Sequence, residues 1–368
     1  MNVLVPNLGS TSLKYQVLEM PSERTLVKGR VERVSDYAEV IAQIGAAIAK
    51  APVAKVDAVA FKVVHGGPDY RGTFLVDAGL LGALEEFLPA APAHNRIYLD
   101  AIRAFAVGLS GVPLIAAFET EFHSTMPDYA REYGVPSGWR EAGVAKYGFH
   151  GASHRFVSGR VTAMLGRDVR LVSCHLGGSS SICAIDRGRS IDTTMGFSPQ
   201  SGLENATRHG DLDAFAVLFM MEKRGWDVAE VRGQLSRTGG LAGLSGIAGG
   251  DVRDLQSAAA AGNARAATAL AVFVYQARKT IGAYAAAMGG LDAVAFTGGI
   301  GENSGALRKQ CCAGLEFLGI ALDPRRNEEG SGDRLVSSDA SGVAVFALAT
   351  DEELIVARRA YATLTANA

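Results

Sequence analysis

Cysteine is scarce. Four occur in 368 residues, Cys174, Cys183, Cys311 and Cys312, with no C-x-x-C pair and no Cys and His cluster at zinc-like spacing. A disulfide framework and a structural zinc site are excluded as sources of stability, and a reduced, cytoplasmic compartment is expected. An excess of either charge is also missing. Lys and Arg number 36 against 38 Asp and Glu, a formal net charge of −2, so no global basic field exists to hold nucleic acid or an anionic membrane. Apolar stretches break well short of the roughly 18 residues of a membrane span. The opening MNVLVPNLGS lacks the basic n-region and long apolar core of an export signal, so none is expected. Neither G-x-x-x-x-G-K-[ST] nor G-x-G-x-x-G after a strand is present, which disfavours the nucleotide folds that carry those signatures. No long Pro or Ser linker marks a boundary, so any two domains share a broad junction.

What is present is ordinary globular composition, 48 % hydrophobic and 20 % charged, enough for two domains, with 44 glycines that lack a collagen-like period. The opening reads as a strand (Val3 to Pro6), a polar turn (residues 7 to 12) and a second strand in which Leu13, Tyr15 and Val17 alternate with Lys14, Gln16 and Leu18. The same grammar recurs at Val169 to Cys174, residues 175 to 181, and Ile182 to Ile185. Either the chain is internally duplicated or two unrelated hairpins share a composition. Ser35 to Ala51, Asn95 to Gly108, Asp211 to Lys223 and the Ala-rich Ser257 to Met288 are predicted helices, the last breaking near Gly262-Asn263. Val294 to Thr297 is a predicted buried strand followed by a glycine loop, residues 298 to 303. Interleaved strands and helices make the class α/β.

Three loops rich in Gly or hydroxyls, residues 7 to 12, 175 to 181 and 298 to 303, each follow an apolar strand. Such loops offer backbone N–H groups and hydroxyls to a phosphate chain, and they are equally the composition of plain hairpin turns. Ionisable groups stand at the ends of other apolar runs: Lys62, Glu119, His150 and Arg208. At strand ends of an α/β protein these point toward the ligand crevice, although a lone His is often a satisfied structural residue and Lys or Arg a solvated surface charge.

The strings FKVVHGG, PAHN, FETEFHSTMP, YGFHGASH, CHLGGSSS, DTTMGFSP, TRHGDLD, GGDVRD, FTGGIGENS and TDEELIVAR, with the opening VLVPNLGSTSLKYQVLE, together resemble the acetate kinase family. This is the acetokinase branch of the actin, hexokinase and Hsp70 superfamily. The resemblance spans residues 3 to 358 and implies a duplicated actin-like (ribonuclease H-like) ATPase fold with a central cleft. Its N-terminal domain would cover residues 1–120, completed by a final helix over about 353–368. Its C-terminal domain, 121–352, would bind nucleotide and pair as a homodimer. The activity implied is reversible, in-line transfer of a phosphoryl group from ATP to acetate or a related short carboxylate, with Mg²⁺. A propionate or butyrate kinase, or a catalytically weak nucleotide-binding regulator, are the alternatives.

Position by position, the resemblance implies that His150, Arg208, Glu119 and Lys62 are catalytic. Asn7, Ser10, Ser12 and Lys14 would meet the phosphates and the metal shell, with Asn7 and Glu352 linked to magnesium. His175, Gly177 and Gly178 form a phosphate loop, and Asp251, Arg253, Gly299, Gly301 and Asn303 meet the adenosine. Lys62, Val64, Ala93, Phe149 and Pro199 surround the carboxylate substrate. Glu352, at a helix start, also has the plain role of a cap open to it. The departures are as specific as the matches. The family usually has Arg at Lys62, Asp at Glu119, Asn at Gly178 and Leu at Ala93. Lys62 loses the planar fork that binds a carboxylate through two parallel bonds, Glu119 is one methylene longer, and the two are read as having changed together. Ala93 implies a roomier pocket in which each further buried substrate methylene returns about 0.8 kcal/mol.

Overall fold

The computed structural model describes residues 1–9, 12–34, 36–51 and 55–366, apart from the side chain of Ala93. Among the described residues twelve strands form two six-stranded sheets. The first holds β1 (Asn2–Leu8), β2 (Ser12–Glu19), β3 (Arg24–Glu32), β4 (Ala58–Val63), β5 (Thr73–Leu75) and β6 (Leu114–Phe118), in the order β3-β2-β1-β4-β6-β5. The second holds β7 (Arg170–His175), β8 (Ser181–Asp186), β9 (Arg189–Thr193), β10 (Ala293–Thr297), β11 (Arg334–Leu335) and β12 (Ala344–Ala347), in the order β9-β8-β7-β10-β12-β11. In each sheet a three-stranded antiparallel meander passes through parallel pairings to a final antiparallel edge strand. Identical order and identical strand sense make the two halves copies of one plan. This is the duplicated actin-like architecture, not a pair of unrelated hairpins.

The central strands are apolar runs because both of their faces are covered. All five residues of β6 and of β10 are buried. One face of the first sheet is closed by the C-terminal helix Glu352–Ala366, whose Val356, Ala357 and Ala360 pack with Val3, Val5, Ala58, Ala60, Ile115 and Ala117. The corresponding face of the second sheet receives Val157 and Val161 from the helix Gly151–Leu165. These two helices also contact each other.

The Ala-rich stretch breaks where expected. Val252–Ala260 ends, Gly262 takes φ +91°, and the Asn263 side chain caps Ala264–Ala287 by accepting from Ala266 N at 3.0 Å. The third glycine segment is a correction, since Gly298–Asn303 is a short helix rather than a loop. Leu176 O accepts from the amides of Ile300 and Gly301, at 2.9 and 3.1 Å, which pins that helix against the segment 175–181.

Candidate active site

Parallel strands end on a common side, where Lys62 and Glu119 approach each other; His150, which precedes a helix, and Arg208, in an irregular segment, do not stand at the strand ends expected of them. Lys62, next to last in β4, forms an ion pair with Glu352, the first residue of the C-terminal helix. Its Nζ also lies 4.0 Å from Oε1 of Glu119, the residue after β6. The closest partner of Lys62 is therefore Glu352, and the compensating pair read from the sequence is the looser contact. Capping of the C-terminal helix falls to Asp351, whose Oδ1 accepts from Leu354 N at 2.9 Å, which leaves Glu352 free to face the lysine. The adjacent acid, Glu353, accepts from Asn7 Nδ2 at 2.6 Å and ties β1 to the same helix turn.

Two buried carboxylates against one ammonium are unequally served. Burial pushes the Glu119 carboxyl up to about 7, with Lys62 pulling down and Glu352 pushing up. Both Glu119 oxygens are buried without a hydrogen-bond partner among the described residues; the amides of Gly151 and His150 draw its pKa partly back without meeting hydrogen-bond geometry. Burial opposes charge on Glu352 too, but Lys62 and then His175 hold it below the ordinary carboxylate range. Lys62 stays protonated because Glu352 and Glu119 outweigh its burial.

His150 closes the group from the other half of the molecule. It precedes the helix Gly151–Leu165 with φ +57°, a left-handed conformation unusual for a residue with a Cβ. Gly151 makes the approach possible, since a Cβ there would stand 2.1 Å from Glu119 O. The His150 ring stacks on His175 at 4.3 Å and 20°, with Nδ1 2.8 Å from Ser181 Oγ and Nε2 3.0 Å from Ser179 Oγ. Burial, followed by His175, His154, Arg208 and Lys62, drives its pKa well below 6.5, so it is neutral at pH 7. Arg208 donates from Nη1 to Pro199 O at 2.7 Å; burial lowers its guanidinium to about 10, still protonated. Arg208 and Lys62 both depress His94 as well as His150, after burial.

Beside this group lies a cavity of about 650 Å³ walled by Gly177, Gly178, Gly249, Gly250, Gly299 and Asn303, together with Asp251 and Arg253. The three segments meet because Leu176 O anchors the helix at 298–303 and Gly178 O accepts from Ala206 N at 3.0 Å. A Cβ at Gly178 or Gly299 would have nothing within 4 Å, so the missing side chains are open space in the wall. Gly250 has no such freedom: φ is +60° and a Cβ would stand 2.1 Å from Ala206 O. Asp251 caps the helix Val252–Ala260 and holds Arg253 through two contacts of 3.0 and 2.7 Å at the cavity wall. Gly301 is not on the wall. It is buried behind it, where a Cβ would press on Phe296.

Val64 and Phe149 are buried in one apolar cluster with Tyr147 and Met195, and Phe197 packs against it. Pro199 is buried and held by Arg208. Lys14 is exposed opposite Asn7 in the β1–β2 ladder, and Ser12 O accepts from Gly9 N at 2.8 Å. His175 ends β7 with Nδ1 2.8 Å from Ser153 Oγ. Ser10 and the side chain of Ala93 lie outside the described residues. The sequence reading singled out the hydroxyl-rich segment 175–181 without giving Ser179 or Ser181 a role of its own, and it missed Glu353 and His154. The paired acids of TDEEL and the second histidine of YGFHGASH were the available signals.

A family model, the Acetokinase family, matches residues 35–358. Acetate kinase of Clostridium botulinum (strain Loch Maree / Type A3) is 39% identical over 390 residues, covering 97% of this chain and 98% of that one. The crystal structure of Porphyromonas gingivalis acetate kinase superposes with a TM-score of 0.88 at 34% identity, covering 99% of each chain. That of a propionate kinase from Francisella tularensis subsp. tularensis SCHU S4 gives 0.90 at 31% identity, covering 97% of this chain and 98% of that one.

Proposed function

The chain belongs to the acetokinase family, and from that premise we propose that it transfers the γ-phosphoryl group of ATP to acetate, reversibly, giving acetyl phosphate and ADP. The observation that carries this reading is two cations, Arg208 and Lys62, and a neutral His150 around one cleft beside the glycine-walled cavity. Acetate is already ionised at pH 7, so no general base is required. A carboxylate oxygen bonds to phosphorus as the bond to the ADP oxygen breaks, and no proton has to move. The obstacle is repulsion between two anions, which fixed cations and hydrogen-bond donors offset as charge shifts toward the leaving group. Arg208 and His150 suit the transferring group, Lys62 the carboxylate, and the open backbone at Gly177, Gly178 and Gly299 the nucleotide. Val64, Phe149 and Pro199 suit the methyl end.

Mg²⁺ is implied by the chemistry. Among the described residues no cluster of three or more His, Cys, Asp or Glu side chains forms a ready cage. The partnerless oxygens of buried Glu119, beside Glu352, nevertheless fit a hard cation that takes one or two carboxylates and completes its shell with water and phosphate. Glu119 and Glu352 would hold it, with Asn7 as an oxygen donor, and when bound it neutralises phosphate charge.

The proposed domains are 1–120, completed by about 353–368, and 121–352. A homodimer through the second is supported by the helix Ala214–Arg224, which buries no residue and leaves Phe215 77% and Phe219 57% exposed. No helix among the described residues is long and apolar enough to cross a membrane; ATP as donor makes the cytoplasm the proposed compartment. Propionate is the second reading, favoured by Ala93 where the family has Leu. Trapping with hydroxylamine tests all of these substrates. Acetohydroxamate forming from ATP and acetate supports the proposal, and ATP binding without any hydroxamate from acetate, propionate or butyrate refutes it.

A further inference from the structure

The hydrogens around His150 can be counted one by one. His150 Nδ1 and His154 Nε2 each lie 2.8 Å from Ser181 Oγ, and His154 Nδ1 lies 2.9 Å from Ser173 Oγ. His154, Ser173 and Ser181 are fully buried, and among the described residues Ser173 Oγ has no partner except His154. Burial keeps both imidazoles neutral, so each carries one N–H. A hydroxyl has one hydrogen and two lone pairs; accepting from both rings would leave the buried Ser181 hydrogen without an acceptor, so Ser181 donates to one ring and accepts from the other. Two directions satisfy that rule.

In the first, Ser173 donates to His154 Nδ1, His154 Nε2–H donates to Ser181, and Ser181 donates to His150 Nδ1. The proton of His150 then sits on Nε2, 3.0 Å from Ser179 Oγ, and the loose end of the series is a half-buried serine that water or ligand can reach. In the second, every bond reverses: Ser179 donates to His150 Nε2, and the series ends with His154 Nδ1–H donating to Ser173. The Ser173 hydrogen then has no acceptor in the interior, which disfavours this arrangement by about tenfold or more.

We propose that Ser173, His154 and Ser181 form a one-way hydrogen-bond relay that holds His150 as its Nε2–H tautomer, so that the ring turns a donor rather than a lone pair toward an anion in the cleft. The three are positioning residues. They act through His150, which is the group that touches the transferring phosphoryl. The catalytic part rests on the proposed kinase reading; the tautomer does not. A lone pair facing a phosphoryl oxygen repels it, whereas an N–H aimed at developing charge is the preorganised donor that accelerates transfer.

The test uses the full chain labelled with ¹⁵N-histidine, in which long-range ¹H–¹⁵N spectra near pH 7.5 separate the two tautomers and the His150 signals are identified by their loss in His150→Asn. A protonated Nε2 and bare Nδ1 on His150 are expected, and a protonated Nδ1 or an even mixture overturns the relay. Ser173→Ala removes the hydroxyl that sets the direction. His150 should then become a mixture, and kcat should fall about 5- to 10-fold while KM for acetate and ATP stays within about twofold. Ser173→Thr keeps the hydroxyl and should restore both readouts. An unchanged tautomer in Ser173→Ala overturns the relay, and an unchanged kcat with a mixed tautomer overturns its link to catalysis. A preparation that makes no acyl phosphate from any carboxylate, yet shows the Nε2–H form, sinks the kinase reading and supports the relay.

Discussion

Replacing Glu119 by Gln should stabilise the metal-free protein at alkaline pH while it sharply lowers turnover. The carboxyl is raised from 4.5 to about 7, chiefly by burial. Between those values the folded state holds a proton that the unfolded state has released, so stability falls as pH rises from about 4.5 through 7. The full loss is about 3 kcal/mol, of which about 2 kcal/mol falls between pH 5 and pH 8. Gln is nearly isosteric and does not titrate. Any constant cost of placing an amide there cancels when the difference between two pH values is compared with that of the parent. Urea unfolding in EDTA-containing buffer at pH 5 and pH 8 measures it. The parent should lose about 2 kcal/mol more than the variant on going to pH 8. Activity should drop by about a hundredfold or more, since the variant gives up a charged oxygen at the reacting centre. If the two proteins lose stability in parallel, within about 0.5 kcal/mol, the account of Glu119 as a charge forced into a dry site without donors is wrong.

Lys62→Arg should change carboxylate KM or kcat at least several-fold in steady-state assays, because a planar fork replaces a point charge between two carboxylates; a silent substitution in both reaction directions removes Lys62 from the substrate site. Gly250→Ala places a Cβ 2.1 Å from Ala206 O at φ +60°, so it should cost at least about 1 to 3 kcal/mol of stability and raise KM for ATP, read by thermal unfolding and kinetics together. Ala93→Leu should lower the ratio of kcat/KM for propionate over acetate by about fivefold to tenfold, and a ratio already well below one that does not move on substitution ends the idea of an enlarged pocket.

Much of this molecule is written locally. Apolar runs such as LIAAF and AVAFT are central strands because nothing polar in them would tolerate cover on both faces. The interruption at Gly262-Asn263 is turn and cap chemistry that short-range sequence carries outright. Strings as long as YGFHGASH and FETEFHSTMP identified the family. Segment 298–303 misled because its glycines read as a loop, while two hydrogen bonds to Leu176 O, more than a hundred residues away in the chain, hold it as a helix turn.

Sequence by itself determined many of the elements and the family, since periodicity, turn residues and motifs act over a few neighbouring positions, whereas the matching strand orders decided the duplication. Packing of the C-terminal helix on the first sheet, and docking of the two halves, decided the partners. Lys62 meets Glu352 across 290 positions and Asn7 meets Glu353 across 346, contacts that no spacing rule encodes. The same docking withdrew water from Glu119 and His150, and an ionisation state is a property of surroundings, which a chain acquires only after it has folded.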